Sequence, residues 1–156
     1  MDEIISFVDT LDGVLTQQAH SGDGSPEIAW GDTFFYYAPD GVVPQTTQPF
    51  ATIVTKNYPG DETSRLDRPE VFRVNMAAGK EAFIAHTGRG PRDADFAASP
   101  APDALDVVIA HPVYGSLGWL SVNRPGPSTG PEVRRLLEQA HDLARARYLR
   151  RENTAE

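Results

Sequence analysis

At 156 residues, 40% hydrophobic and 9% aromatic, the chain has enough apolar material to bury one core and too much for a disordered polyanion. Its formal net charge is −8, and residues 1–55 hold eight acidic side chains and no Lys or Arg, which excludes a duplex-binding cationic face there. There is no cysteine, so disulfides, thiolate catalysis and cysteine–zinc sites are excluded as well.

The N-terminal segment MDEIISFVDTLDG lacks the basic and unbroken apolar regions of a signal peptide, and no stretch approaches ~18 consecutive apolar residues. A cytoplasmic protein with no membrane partner is the expectation. From Asp2 to Leu11 the spacing of Ile4, Ile5, Val8 and Leu11 predicts a helix, with Asp2 as N-cap and Gly13 as its stop. Val14–His20 is β-permissive but weakly patterned, and SGDGSP forms a loop. Thr33–Ala38 (TFFYYA) is a strand, because four consecutive aromatics suit a pleated surface. Phe50–Thr55 is the next strand, and KNYPGDETSRLDR after it is too polar for a buried element.

Val71–Met76 alternates, with Phe72, Val74 and Met76 on one face and Arg73 and Asn75 on the other. Gly79–Ala85 reads as a short helix and Arg89–Asp103 as a surface excursion. Leu105–Ala110 and Leu117–Asn123 form a hairpin around His111-Pro112 and VYGS. Thr129-x-x-Glu132 has the form of a capping box. It opens a last helix, striped by Val133, Leu136, Leu137, Ala140, Leu143, Ala144 and Tyr148, that runs to about Leu149. The ending RENTAE is expected to fray, leaving one domain over 1–150 and a tail over 151–156.

Short connections between neighbouring strands favour antiparallel pairing. The class is therefore α+β: a mostly antiparallel sheet of about six strands, with the N- and C-terminal helices on one face and the other face partly open. The segments WGDTFFYY, TIVTKNYPGDETSRLDRPEVFRVNM, GKEAFIAHTG and LDVVIAHPVYGSLGWLSVNRP, with the closing AHDLARAR, resemble an uncharacterised family of small, largely actinobacterial proteins over nearly the whole chain. The second half also resembles the MmcQ/YjbR group, which implies a CyaY-like two-layer sandwich. Neither resemblance implies a reaction or a catalytic residue.

Several residues are candidates for chemistry. His111, beside Tyr114 and Trp119, has the make-up of a general base at a pocket rim; the alternative is a His–Pro turn whose ring bonds a backbone carbonyl. Arg73 and Asn75, one pleat apart on the uncovered face, suit a carboxylate or phosphate; the alternative is pairing with an acidic neighbour such as Asp106. Lys56, Tyr58, Ser64, Arg65 and Arg68 crowd one polar loop without a phosphate-loop pattern, and pairing of Arg65 and Arg68 with Asp61, Glu62 and Asp67 is the simpler reading. His20, His86, His111 and His141 have no metal-ligand spacing, so no metal and no cofactor is expected. The C-terminal cations Arg145, Arg147, Arg150 and Arg151 suit the negative end of a helix dipole, and nucleic acid is not an expected partner.

The leading expectation is a small-molecule-binding domain. Its anionic or aromatic ligand lies on the open sheet face, held by Arg73 and Asn75 and flanked by Tyr37, Trp119 and His111. The alternatives are a cofactor-independent enzyme using His111 with Tyr114 or Lys56 as acid and base, and a homodimerising module that pairs through the same open face.

Overall fold

The computed structural model describes residues 1–93 and 99–155 of the chain. Strands β1 (Val14–Gln18), β2 (Thr33–Tyr37), β3 (Ala51–Val54), β4 (Arg73–Met76), β5 (Val108–Ala110) and β6 (Leu120–Asn123) form one sheet in the order β1-β2-β3-β4-β6-β5. Every pairing is antiparallel, as short connections between neighbours require. The helices are α1 (Asp2–Asp9), α2 (Lys80–Thr87) and α3 (Gly130–Ala155), with short 3-10 turns at Glu27–Ala29 and Gly115–Leu117. No helix among the described residues is long and apolar enough to cross a membrane.

Strand alternation divides the sheet cleanly. Phe35, Ala51, Ile53, Val74, Met76, Leu120 and Val122 point to one face and join Ile5 and Val8 of α1, Phe83 of α2, and Val133, Leu136, Leu137 and Ala140 of α3 in the main core. Thus α1 and α3 share a flank, and α2 seals the β5 end of it. Gly13 ends the turn between α1 and β1 at a φ of +68°, and a Cβ there would lie 2.7 Å from the Tyr37 ring. That position admits only glycine.

Over β4 and β6 the opposite face is not open, and over β1 and β2 it is half-buried. Residues 55–72 fold back across it, and Leu66 and Val71 of that connection pack with Val54 in a second, smaller core edged by Tyr58 and Leu105. Arg73 is 1% exposed and Asn75 3%, so the expectation of an outward-facing polar pair is overturned. The face expected to mediate self-association is thus covered at Arg73 and Asn75 and half-buried at Phe34 and Tyr36. Its cause is compositional: KNYPGDETSRLDR is polar overall, but Tyr58, Leu66 and the following Val71 are spaced to bury while the charges turn outward or pair. Part of the Arg89–Asp103 excursion, residues 94–98, lies outside the described residues.

Two helix ends also differ from the sequence reading. Met1, not Asp2, is the N-cap of α1, and no side chain caps it. The Thr129–Glu132 capping box does not form. Instead the Asp106 carboxylate reaches in from the start of the hairpin and accepts hydrogen bonds from the backbone N–H groups of Gly126 (2.8 Å), Ser128 (3.0 Å) and Thr129 (2.9 Å), and from Thr129 Oγ1 (2.6 Å). Glu132 is engaged by His86 and Arg135. At the other end, α3 continues to Ala155, so residues 151–155 are helical rather than frayed.

The hydroxyl of Thr129, then the three main-chain donors, hold the Asp106 carboxyl well below its ordinary value of 3.8. A depressed carboxylate stabilises the fold fully above its unfolded value and loses that contribution as pH falls through the folded one. Asp106→Ala should therefore cost about 1–3 kcal/mol at pH 7, the range for losing a cap and charge-assisted bonds. Urea titrations should show the difference between the variant and the parent protein shrinking below about pH 4.

Candidate functional site

Arg73 is the largest fully buried side chain, and its burial is possible because its donors are met one by one. Nε donates to Asn75 Oδ1 at 2.8 Å. Nη1 donates to Asp61 Oδ1 at 2.9 Å and to Ser64 Oγ at 3.0 Å, and Nη2 donates to Asp61 Oδ2 at 2.5 Å. The guanidinium and carboxylate thus meet fork to fork. The network continues along the sheet: Ser121 Oγ donates to Asn75 Oδ1 (2.8 Å), and Asn75 Nδ2 donates to Thr52 Oγ1 (3.0 Å). The acidic partner of Arg73 is Asp61, from the covering loop, and not Asp106.

Asp61 is delivered by the turn Tyr58-Pro59-Gly60-Asp61, closed by Asp61 N–H to Tyr58 O at 2.9 Å. Burial opposes its charge, but the bonds and charge of Arg73 hold its carboxyl below the ordinary range. The other end of the turn is fixed by a second buried carboxylate. Asp32 is fully buried and accepts from Thr55 N–H (2.8 Å), Thr55 Oγ1 (2.9 Å), Lys56 Nζ (3.0 Å) and the Tyr58 hydroxyl. Burial and that carboxylate push the Tyr58 phenol up.

His111 follows β5 and is 5% exposed. Its Nδ1 accepts the backbone N–H groups of Val113 and Tyr114, each at 3.0 Å, while Nε2 lies 3.3 Å from Arg73 Nη2. Two donors aimed at Nδ1 place the ring proton on Nε2. Burial first, then the Arg73 charge, drive the imidazole far below its ordinary value of 6.5, against the weaker pull of Asp61. His111 is therefore neutral across the physiological range. The Tyr114 ring lies 4.9 Å away and the Trp119 ring 6.4 Å away edge-on, so these three aromatic groups do gather at one end of the hairpin.

Other expected neighbours are elsewhere. Tyr37 projects from the helix face, with its ring 5.6 Å from His141 and 5.2 Å from Tyr148, and is separated from Arg73 by the sheet. Lys56 is spent on Asp32 and on Trp30 O (2.7 Å). It cannot serve as the acid or base partner of His111. Arg65 pairs with Asp103 at 3.3 Å, and Arg68 donates to the carbonyls of Ser64, Arg65 and Asp103, so neither takes the expected acidic partner. Asp61, Ser64 and Asp32 are the site residues the sequence reading missed as a unit. The YPGD turn was their one local signal.

Beside His111 the edge of the sheet is hollowed. A cavity of about 540 Å3 lies between the end of α2, strand β5 and the loops at residues 63 and 99–102, with Val108, Ala110, His111, Thr63, His86 and Thr87 among its lining. Because His111 N–H bonds Trp119 O, antiparallel alternation turns the main-chain N–H and C=O of Val108 and Ala110 away from β6, towards the free edge. Among the described residues no three metal-ligating side chains gather.

Removing one partner of a buried ion pair leaves an uncompensated charge. Asp61→Ala should cost about 3–5 kcal/mol in urea unfolding, whereas Arg65→Ala, at an exposed pair, should cost under ~1 kcal/mol. The His111 shift has the opposite proton chemistry but the same acid sign: the unfolded ring takes up a proton that the folded one refuses. Stability should fall as pH drops below 6.5, and a His111→Asn variant should lack that component.

No curated protein and no solved structure matches the chain. A family model described as a family of unknown function (DUF6194) matches residues 1–153. With nearly every residue spanned by that match, the chain belongs to this family of unknown function.

Proposed function

We propose that this protein binds a small molecule in the cleft at the β5 edge, with His111 in its wall. The observation that carries the reading is the cavity itself: about 540 Å3 is within the range of small-molecule sites, and its lining mixes apolar groups with a few fixed polar ones. Val108, Ile109, Ala110 and Pro112 supply the apolar side; Thr63, Thr87 and His111 supply the polar points. The floor is rigid, because Arg73 ties β4 to the covering loop through Asn75 and Asp61, and His111 Nδ1 is held by the hairpin amides of Val113 and Tyr114. Preorganisation of that kind lowers the cost of binding.

Two other concavities are less suited. One, of about 850 Å3, lies outside α2 and the hairpin turn and is lined by exposed Ile84 and Leu117 with Lys80 and Arg92. Another, of about 330 Å3, is a shallow groove over Phe34 and Tyr36. Neither has a buried polar group held against it as His111 is. Acid–base catalysis through His111 is disfavoured by the same geometry, since a general base needs a lone pair free at neutral pH and Nδ1 has given its own to Val113 and Tyr114.

Thr63 is exposed and lines the cleft, so a large ring there should fill it without disturbing either core. Thr63→Trp should leave the thermal midpoint within about 2 °C and weaken any fragment hit at least tenfold. In two-dimensional NMR, fragments that bind should move the amide signals of 86–88 and 108–112. A fragment library that moves none of these signals in the parent protein would remove the reading.

A further inference from the structure

The sheet has a second edge, at the end away from β5. There β1 is the outermost strand, and among the described residues its one strand partner is β2. The bonds from Ala38 N–H to Gly13 O (2.9 Å) and from Ala19 N–H to Asp32 O (3.0 Å) show which residues face inward. With the β1–β2 register, they turn the main-chain groups of Leu15 and Gln17 towards β2. Antiparallel alternation therefore points the N–H and C=O of Val14, Thr16 and Gln18 outward, where no described residue bonds them.

Natural sheet edges are guarded against such pairing by lysine, proline or a bulge. This edge has none of them. Its residues, VLTQQ, are uncharged and keep an unbroken one-to-one register with β2. Beside it, on the face away from the helices, a groove of about 330 Å3 is lined by Gln17, Phe34, Tyr36 and Pro26 among others. An added strand finds main-chain partners along the edge, and every second side chain lies on the groove side.

Charge selects the occupant. Asp9 borders the edge and accepts the Thr16 hydroxyl, and Asp23 lines the groove. The basic groups here are few: Arg145 and His20 lie 3.8 Å from Asp12 and Asp23, and Arg134 lies over the Phe7 ring of α1. Lys56, bonded to Trp30 O, is balanced by Asp32. Asp2, Glu3 and Glu27 add to the acidic side, so the balance around β1 is negative. A second copy suits it poorly. The fullest symmetric pairing sets Thr16 opposite Thr16 and brings the two Asp9 carboxylates to one side of the same rung, where like charges repel. We infer that β1 receives an extended segment of another protein in which cationic and aliphatic residues alternate. The aliphatic side chains lie beside Leu15 and Gln17, towards Phe34 and Tyr36, and the cations lie on the Thr16 side near Asp9. This docking edge is independent of the β5 cleft.

The probe is an end-blocked peptide of alternating lysine and valine, titrated into 15N-labelled full-length protein. In the free protein the amides of Val14, Thr16 and Gln18 should exchange with solvent at least tenfold faster than those of Leu15 and Gln17. The peptide should shift the first three saturably and slow their exchange at least tenfold. A glutamate–valine peptide should bind at least tenfold more weakly. So should the lysine peptide methylated on its backbone nitrogens, which keeps every charge and loses the strand's donors. Thr16→Pro is the matching change in the protein, since it removes an outward donor and spares the bonds of Leu15 and Gln17 to β2. It should abolish the response; if it fails to fold, the two modified peptides still decide. Asp9→Asn keeps an acceptor for the Thr16 hydroxyl and should weaken the lysine peptide about threefold. No saturable shift, shifts without the alternating pattern, or equal binding of either modified peptide overturns the inference. So does a free protein that is dimeric by light scattering with Val14, Thr16 and Gln18 already protected, because the edge then belongs to a second copy.

Discussion

The buried fork between Arg73 and Asp61 is the constraint around which this structure is arranged. A guanidinium on the inner part of a sheet is tolerable only if its hydrogens find acceptors and its charge a partner. Asn75 supplies one acceptor from the same strand, but the carboxylate has to come from outside the sheet. The connection between β3 and β4 is therefore drawn across the face it would otherwise leave bare. Tyr58, Leu66 and Val71 then have a surface to bury against, and a polar segment becomes a third layer.

Two further carboxylates repeat the device. Asp32 fixes the beginning of the same connection through Thr55, Lys56 and Tyr58, and Asp106 fixes the start of α3 through main-chain donors. In each case one short acidic side chain, accepting several hydrogen bonds, ties a loop to a regular element. The backbone is bent to allow it: Arg65, Glu70, Asp106 and Arg124 all have positive φ, a conformation that side-chain-bearing residues adopt at a cost. Arg65 and Glu70 lie in the covering loop, and Asp106 and Arg124 flank the β5–β6 hairpin. The strain is concentrated where loops are pinned.

The proposed site lies at the sheet's edge. Packing and hydrogen bonding hold His111 so that one nitrogen serves the hairpin turn and the other faces the guanidinium. The cleft beside it inherits that rigidity, and β5, as the outermost strand, offers main-chain groups that no further strand among the described residues takes. The proposed binding there would need no movement of the core. It is the position in this fold where fixed polar atoms, apolar lining and open volume coincide.

Much of this was legible in the residues. The aromatic run of β2, the alternation of Phe72, Val74 and Met76, the hairpin around VYGS and the stripe of α3 all report local periodicity, and local periodicity decides which residues form strands and helices. The gathering of His111, Tyr114 and Trp119 was equally local, since a tight hairpin brings its own ends together. Alternation also assigned Arg73 and Asn75 correctly to the face opposite the helices. What alternation cannot say is what covers a face. Whether Arg73 met solvent or Asp61, twelve positions earlier, depended on the intervening chain folding back, which is a balance between burying Leu66 and Val71 and desolvating a charge pair. The same holds for Tyr37, whose face was set by register with β1, and for Asp106, which pins the turn before a helix more than twenty residues away. Identity and spacing determined the elements, their order and the antiparallel class. Only the three-dimensional packing decided which polar groups were buried, because the partner that makes burial tolerable is distant in the chain.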